Sequence, residues 1–253
     1  VSACIPELLV FTPISLDHQH ILGNSIKEIA NEKAGAIKKN IHCISSPQSE
    51  VVKNTLNFHA SQLNTSIEYV NTSIDYSINL NGKHQIMNAG LAIQSVKHLI
   101  KFNITDLHIT HGLSSVKWPG RIQKINNKPL TFFDVAHNES SFLYLCDFVK
   151  NLNINSKKVL ILALQEHKHL YSALKPILNT FDSIIITQTN TRNFLAVTKL
   201  NQLFNSQKTQ LIINPEEAIK FYKNDSRNCV IIAGSHYLGP IISKIFKISF
   251  ENI

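Results

Sequence analysis

Short apolar runs alternate with helical segments along this chain, and that alternation most constrains the fold it can adopt. In the second half, each run is rich in β-branched residues and is followed by a stretch of helical periodicity. Continuous apolar runs are typical of strands buried on both faces, and a helix between successive strands makes those strands parallel. We expect strands at Leu130–Val135, Val159–Leu164, Ser183–Thr187, Gln210–Ile213 and Cys229–Ala233, and helices at Ser140–Asn151, Leu170–Thr180, Ala196–Asn205 and Glu216–Lys223, with a further helix after Pro240. This half is predicted to be a mostly parallel, Rossmann-like α/β domain.

The first half alternates strands and helices less regularly. We expect strands at Leu8–Thr12 and Ile41–Ile44, a strand pair at Ile67–Val70 and Ile74–Leu80, a loop at Pro13–His20, and helices at Ser25–Lys33, Glu50–Gln62 and Gln85–Lys101. The periodicity ends around Leu113–Lys117, because Gly112 and Pro119 interrupt it there. We therefore predict a boundary at this point, with one domain in residues 1–116 and a second in residues 117–253.

Composition places the chain among ordinary globular proteins and excludes several functional classes. The 253 residues are 43% hydrophobic, and no apolar run approaches the roughly 20 residues that a membrane helix needs. The net charge of +8 comes from scattered lysines rather than a basic block, so we expect no dedicated nucleic-acid binding. The 4 cysteines are far apart and form no C-x-x-C pair, which favours a reducing compartment. We therefore expect a cytoplasmic protein that acts as a monomer and does not bind membranes.

Three candidate functional segments lie in the first half. Asp17 and His18 follow a strand directly, at the end where open α/β sheets bind ligands. The pair could hold a metal or polarise a phosphate, or the aspartate could simply cap a turn beside an exposed histidine. Lys33 stands near the end of the next helix, where it could neutralise phosphate charge or act as a solvated last-turn lysine. His84, Gln85 and Asn88 open the long helix, either as a capping cluster or as part of a site.

Two further segments lie in the second half. Arg121 is flanked by Pro119 and Gly120, and its planar guanidinium suits phosphate oxygens; the alternative is an interdomain turn with an exposed arginine. Asp134 and His137 lie at the carboxyl end of a strand, immediately before a predicted helix. Helix N-termini attract anions, and an aspartate there can bind ribose hydroxyls or a metal-bound water. These segments predict a nucleotide-binding edge of the sheet.

The motifs together resemble those of the dihydrofolate synthase/folylpolyglutamate synthase family of the Mur ligase superfamily. The matching segments are Leu16-Asp17-His18, Leu22-Gly23, Ile29-Ala30-Asn31-Glu32-Lys33-Ala34-Gly35, His84-Gln85-Ile86-Met87-Asn88-Ala89, Trp118-Pro119-Gly120-Arg121 and Asp134-Val135-Ala136-His137-Asn138. The last differs from the family's D-G-A-H-N, because Val135 replaces the glycine. The resemblance implies an α/β protein in which residues 1–116 are the remainder of a Mur-ligase-type ATP-binding domain. Residues 117–253 would then be a C-terminal Rossmann-like glutamate-ligase domain.

The resemblance also implies the cofactors, ATP and Mg²⁺, and the residues that bind them. In the family, the histidine that matches His18 is a Mg²⁺ ligand, and the lysine that matches Lys33 is carbamylated and supports the metal site. Asn88 would contact the adenine, and Arg121 would reach the ATP phosphates. Asp134 and His137 would complete the nucleotide site, with Lys33 and His137 also assigned to catalysis.

The implied reaction is ATP-dependent amide ligation through an acyl phosphate, with L-glutamate added to dihydropteroate, to folates, or to both. No G-x-x-x-x-G-K-[ST] segment occurs in the sequence, although such a loop opens the nucleotide domain of the family. We therefore expect the C-terminal portion of a full enzyme, and whether this chain is itself an enzyme stays open. The alternatives are an inactive remnant and another Mur-type ligase that acts on a cell-wall precursor.

Two later matches are shorter. Lys168 lies where the family often has D-K-D, but its neighbours here are His167 and His169. These two histidines could bind a metal or simply face solvent. Gly234-Ser235 matches a family G-S pair near the C-terminus and is expected to have a structural role.

Overall fold

The computed structural model describes residues 4–70, 73–166, 168, 170–189 and 193–250. The chain divides into two compact units. Unit 1 comprises Val1–Asn79 and Lys83–Val116, and unit 2 comprises Leu80–Gly82 and Lys117–Ile253. No helix in the described ranges is long and apolar enough to cross a membrane.

Unit 1 is built on a small parallel sheet. Its strands, in the part of the chain that the structure describes, are β1 (Leu8–Phe11), β2 (His42–Ser45) and β3 (Ile67–Tyr69), paired in the order β1-β2-β3. Its helices are α1 (Gln19–Leu22), α2 (Ile26–Ala34), α3 (Glu50–Gln62), α4 (Lys83–His98) and α5 (Asp106–Ser115), with a 3₁₀ turn at Ile100–Phe102.

The core of unit 1 forms where α2 and α3 cover one face of this sheet. Leu9 and Cys43 are buried against Ala30 of α2 and Leu56 of α3. Ser25 fixes the start of α2, because its hydroxyl accepts a hydrogen bond from the Glu28 N–H and Glu28 bonds back to the Ser25 N–H. Sequence and capping therefore agree on where this helix begins.

Unit 2 contains a mixed sheet whose described strands are β4 (Gln123–Asn127), β5 (Leu130–Asp134), β6 (Lys157–Leu162), β7 (Ser183–Ile186), β8 (Thr209–Leu211) and β9 (Asn228–Ala233). Their order is β4-β5-β9-β6-β7-β8; β4 pairs antiparallel with β5, and the other pairs are parallel. The helices are α6 (Glu139–Lys150), α7 (Leu174–Thr180), α8 (Val197–Phe204), α9 (Pro215–Lys223) and α10 (Gly239–Phe246), with 3₁₀ turns at Tyr171–Ala173 and His236–Leu238.

Helices cover both faces of the unit 2 sheet. Residues of α6, α7 and α8 share one apolar cluster with Leu160 and Leu162, whereas α9 and α10 share another with Val159 and Ile161. The connection from β8 to β9 runs back across the sheet and places β9 between β5 and β6, so a right-handed crossover puts its helix, α9, on the opposite face. The carboxyl ends of β5, β9 and β6 consequently border the crevice where such sheets bind ligands.

The predicted alternation is observed, but three local predictions are wrong. Residues 73–80 form no strand among the described residues; the Asn79 N–H instead donates to the Leu113 carbonyl at 2.9 Å. Helix α5 runs through Gly112, which we expected to interrupt the periodicity. The predicted loop Pro13–His20 ends inside the short helix α1. Strand β4 was missed because its polar sequence belongs to a sheet edge rather than to a buried strand.

Candidate functional site

Asp134, the last residue of β5, organises the candidate site in unit 2. Its side chain is buried, and its two carboxylate oxygens accept the N–H groups of Ile122 at 2.7 Å and Ala136 at 2.6 Å. Burial raises the pKa of Asp134 to about 6, although these two hydrogen bonds and the charges of Arg121 and His137 act in the opposite direction. One carboxyl group therefore fixes the backbone on both sides of the site.

The turn that carries Arg121 is held against the end of β5. The Val135 N–H donates to the Gly120 carbonyl at 2.8 Å, and the Gly120 N–H donates to Gln123 Oε1 at 3.1 Å. Gly120 has φ +67°, and a Cβ there would lie 2.6 Å from Val135 Cγ1. Glycine is therefore required by both the conformation and the close approach.

Ile122 completes this turn in a strained conformation. Its φ is +44°, which is costly for a β-branched residue. Burial in the core and the hydrogen bond to Asp134 hold it there. Because Gly120 and Ile122 are both buried, the turn leaves Arg121 exposed between them, close enough to Asp134 for its charge to lower the pKa of that carboxyl group.

His137 lies at the start of α6 with a defined tautomer. Its Nδ1 donates to the Val135 carbonyl at 2.8 Å, so the second ring nitrogen, Nε2, is the atom suited to a ligand. Asn138 is the N-cap of α6, and its Oδ1 accepts the Ser141 N–H at 2.9 Å. Arg121 and the N-terminus of α6 make this edge of the sheet electropositive, and positive potential suits a polyphosphate.

Val135 occupies the family's glycine position without backbone strain. It is not among the described residues with positive φ, and its side chain packs against the core on the α9–α10 face. Its N–H and its carbonyl both serve the site, toward Gly120 and His137 respectively. The substitution therefore leaves the loop geometry intact.

Gly234-Ser235, at the end of β9, has a structural role. Gly234 has φ +111°, and a Cβ there would clash with the Ala163 carbonyl oxygen beyond β6. Ser235 is buried and its hydroxyl accepts the Tyr237 N–H at 3.2 Å. Lys168 donates its backbone N–H to the Gln165 carbonyl at 3.4 Å. His167 and His169 lie outside the described residues.

In unit 1, His18 and Lys33 lie on adjacent helical elements. His18 adopts a left-handed conformation at φ 51°, and its carbonyl accepts the Ile21 and Leu22 N–H groups at 2.9 Å. Asp17 Oδ1 accepts the His18 N–H at 2.8 Å, as expected for a turn-capping aspartate. Lys33 is exposed in the last turn of α2.

Asn88 is positioned by a buried neighbour on α4. Its Nδ2 donates to Gln85 Oε1 at 3.1 Å, and Gln85 Nε2 donates to His84 Nε2 at 3.1 Å. Gln85 is buried whereas Asn88 is exposed, so the interior residue orients the surface amide. The motif match identified Gln85 as a neighbour but not as the residue that positions Asn88.

The structure thus brings some predicted residues together and leaves others apart. In unit 2, Arg121, Asp134 and His137 share one end of β5. In unit 1, no hydrogen bond or ion pair joins His18, Lys33 and Asn88 among the residues described. Sequence reasoning missed Ile122 and Gln123, because nothing in an apolar residue or a surface glutamine signals a role in shaping the turn.

Comparison with known proteins identifies the relatives of this chain. No family model matches it. It is 28% identical over 271 residues to the dihydrofolate synthase/folylpolyglutamate synthase of Bacillus subtilis, and the match covers 96% of this chain and 63% of that protein. The chain is similar in sequence to proteins of the dihydrofolate synthase/folylpolyglutamate synthase family. The resemblance predicted from the motifs is confirmed.

Solved structures of the family confirm the fold class. The chain matches Mycobacterium tuberculosis folylpolyglutamate synthase complexed with ADP and AMPPCP at a TM-score of 0.84 and 24% identity, over 96% of this chain and 64% of that one. It matches E. coli FolC in complex with DHPP and ADP at a TM-score of 0.81 and 18% identity, over 95% of this chain and 61% of that one. The chain therefore has the mixed α/β fold with parallel sheets of these two proteins, and spans just under two thirds of their length.

Proposed function

We propose that this chain belongs to an ATP-dependent amide ligase that adds L-glutamate to dihydropteroate, to folates, or to both. The observation that carries the proposal is the convergence of the Arg121 turn, Asp134 and His137 at the N-terminus of α6. Two motifs that are separate in the sequence are joined there, because the Val135 N–H donates to the Gly120 carbonyl and the Ile122 N–H donates to the Asp134 side chain. The relatives named above are folate-linked ligases, and their structures were solved with adenine nucleotides.

The unit 2 residues fit a nucleotide phosphate. Arg121 is exposed and presents a planar fork of donors, and α6 adds the partial positive charge of its N-terminus. His137 presents Nε2 as an acceptor, or as a donor when it is protonated. We assign Arg121 to neutralising phosphate charge, Asp134 to the ribose or a metal-bound water, and His137 to both nucleotide binding and catalysis.

The unit 1 residues would serve Mg²⁺ and the adenine. Mg²⁺ prefers oxygen ligands and usually retains water and substrate phosphate oxygens. His18 alone supplies a nitrogen, so a carbamylated Lys33 would contribute the oxygen atoms that the metal prefers. Lys33 is exposed and therefore accessible to CO₂. Asn88, oriented by Gln85, would contact the adenine through its amide.

The chemistry of the proposal is an activation followed by an amide-forming attack. When bound, Mg²⁺-ATP would supply the phosphoryl group that converts the acceptor carboxylate into an acyl phosphate, leaving ADP. The amine of L-glutamate would then attack the acyl carbon, lose a proton and displace inorganic phosphate. Arg121 and the N-terminus of α6 would stabilise the charge that develops on the phosphate oxygens, which is the main contribution that a protein makes to such a step. We also propose that the protein acts as a monomer in the cytoplasm. Its 4 cysteines have free thiols, which is compatible with a reducing compartment.

The direct test is a ligase assay with the purified chain. Dihydropteroate, or separately a reduced folate, is incubated with labelled L-glutamate and Mg²⁺-ATP, and the glutamylated product and released phosphate are both measured. The proposal predicts equal amounts of product and phosphate, with a large loss in Arg121→Ala and little change in Lys124→Ala, a nearby exposed cation on β4. Product from a UDP-linked cell-wall precursor but not from either pterin acceptor would contradict it.

A further inference from the structure

Two histidines of unit 1 converge on one carboxylate oxygen. His42 Nε2 lies 3.3 Å from Glu68 Oε2, and His98 Nε2 lies 3.2 Å from the same oxygen. The three candidate ligand atoms all lie within 4.8 Å of one another. The side chains are 42%, 34% and 37% exposed for His42, His98 and Glu68, so an ion in solution can reach them.

The fold places these groups together from three separate elements. His42 is the first residue of β2 and lies on the same face of the strand as Ile44. Ile44 pairs with Glu68 of β3, so His42 and Glu68 lie on one face of the sheet. His98 is the last residue of α4. The imidazole rings of His42 and His98 stack with centroids 4.1 Å apart and planes 31° apart, so both Nε2 atoms approach Glu68 from one side.

Gln94 holds the other oxygen of the carboxylate. It lies one turn before His98 on α4, and its Nε2 donates to Glu68 Oε1 at 2.8 Å. Glu68 therefore has one carboxylate oxygen fixed by Gln94 and the other directed at two imidazoles, which is how an outer hydrogen bond orients a metal ligand.

The ligand types and the two nitrogen–oxygen separations match a tetrahedral transition-metal site. Ligands at about 2.0–2.1 Å from Zn²⁺ with tetrahedral angles lie roughly 3.3 Å apart, close to the two nitrogen–oxygen distances observed. Two imidazoles and one carboxylate, with a fourth position left for water, form a known zinc ligand set. Mg²⁺ and Ca²⁺ prefer oxygen atoms alone, so the imidazoles select against them.

We propose that His42, Glu68 and His98 bind Zn²⁺ or a similar divalent transition metal. His42 is at the amino end of β2, whereas His18 follows the carboxyl end of β1 in the same parallel sheet, so this site is separate from the proposed Mg²⁺ site. A bound ion would link β2, β3 and the end of α4, and would stabilise unit 1 because it binds the folded chain.

The test is a calorimetric titration of the chelator-treated 253-residue chain with ZnCl₂. We expect one Zn²⁺ per chain that excess MgCl₂ does not displace, and affinity reduced at least about tenfold in His98→Gln and Glu68→Gln. His59→Gln is the matched control, since His59 is a half-buried histidine of unit 1 bonded to Asn31, away from Glu68. Zn²⁺ should also raise the melting temperature of the parent chain and of the His59 variant, but not of the His98 variant.

Three results would overturn the proposal. One is equal Zn²⁺ affinity in the parent chain and in the His98 and Glu68 variants. Another is loss of Zn²⁺ binding in His18→Gln while His98→Gln binds Zn²⁺ as the parent chain does. If the Glu68 variant does not fold, Gln94→Ala takes its place, because it keeps all three ligands and should weaken binding only by loosening the carboxylate. Unchanged affinity in Gln94→Ala together with unchanged affinity in His98→Gln would equally contradict the site.

Discussion

At the scale of single residues, Asp134 connects the two halves of the unit 2 site. Its oxygens accept main-chain N–H groups from residues 122 and 136, one on the Arg121 turn and one just after β5. The carboxyl group is desolvated, and its pKa of about 6 lies well above the ordinary value of 3.8. A group with such a shift at the end of a buried strand is typical of a functional position rather than of a stabilising one.

The pKa of Asp134 predicts a pH dependence of stability. Between about pH 4 and pH 6 the folded chain keeps a proton that the unfolded chain has released, so the free energy of unfolding falls as pH rises through this window. The contribution is on the order of 3 kcal/mol. Urea unfolding at pH 4 and pH 7 measures this effect. The free energy of unfolding of the parent chain minus that of Asp134→Asn should be lower at pH 7 than at pH 4. A difference that stays constant would contradict the shift.

Gly120 predicts a contrasting pair of glycine variants. In Gly120→Ala the new Cβ would meet Val135 at a positive φ, so we expect the free energy of unfolding to fall by roughly 1–3 kcal/mol and nucleotide affinity to weaken. In Gly112→Ala, on the exposed surface of α5 with nothing within 4 Å of the new Cβ, stability should rise by about 0.5–1 kcal/mol. Chemical denaturation measures the free energy of unfolding of both variants. An unchanged free energy of unfolding in Gly120→Ala would contradict this account of the turn.

At the scale of elements, α6 is both a core helix and the positive end of the site. Its N-cap Asn138 has a counterpart in Asn214, the N-cap of α9, whose side chain accepts the Glu216 N–H at 2.9 Å. Replacing either asparagine with alanine should cost about 1 kcal/mol of stability. Only Asn138→Ala should also weaken ADP binding, which calorimetry measures. Equal ADP affinity in the two variants would show that the N-terminus of α6 does not contribute to ADP binding.

The elements also show which parts of the fold could be predicted from the sequence. Buried strands such as β6 and β9 were predicted because a run of apolar, β-branched residues has few alternatives in a domain of this size. The strand expected at Ile74–Leu80 was wrong because alternation of polar and apolar residues occurs in loops as well. The polar edge strand β4 was missed because its hydrogen-bonded partner is fixed by the tertiary fold.

The site itself was predictable in its chemical groups but not in its geometry. The motifs identified Arg121, Asp134 and His137, and the structure brings all three to one end of β5. The positive φ of Ile122 could not be predicted, because it results from a hydrogen bond to a residue twelve positions away. The cluster at Glu68 was likewise not visible in the sequence, since its members are brought together by strand register and by α4.

At the scale of the whole molecule, the chain consists of two units with separate sheets and separate chemistry. Unit 2 carries the residues proposed for phosphate binding, and unit 1 carries the residues proposed for Mg²⁺ and adenine together with the proposed zinc site. Ligands that bind only the folded state raise stability in proportion to the logarithm of their concentration. Zn²⁺ and ADP should therefore stabilise the chain independently, and the His98→Gln variant should lose the response to Zn²⁺ while keeping the response to ADP.

The central claim, that the motifs at the end of β5 form a nucleotide-phosphate site, is tested most directly by the fluorescence of Trp118. It is the chain's 1 tryptophan, is 60% exposed, and stands two residues before Gly120 in the same turn. Titration with ADP should give a saturable change in emission. Loss of charge-assisted hydrogen bonds in Arg121→Ala should weaken affinity roughly 10- to 100-fold, and Lys124→Ala should bind as the parent chain does. No saturable change, or equal affinity in the Arg121 variant and the parent chain, would contradict the account.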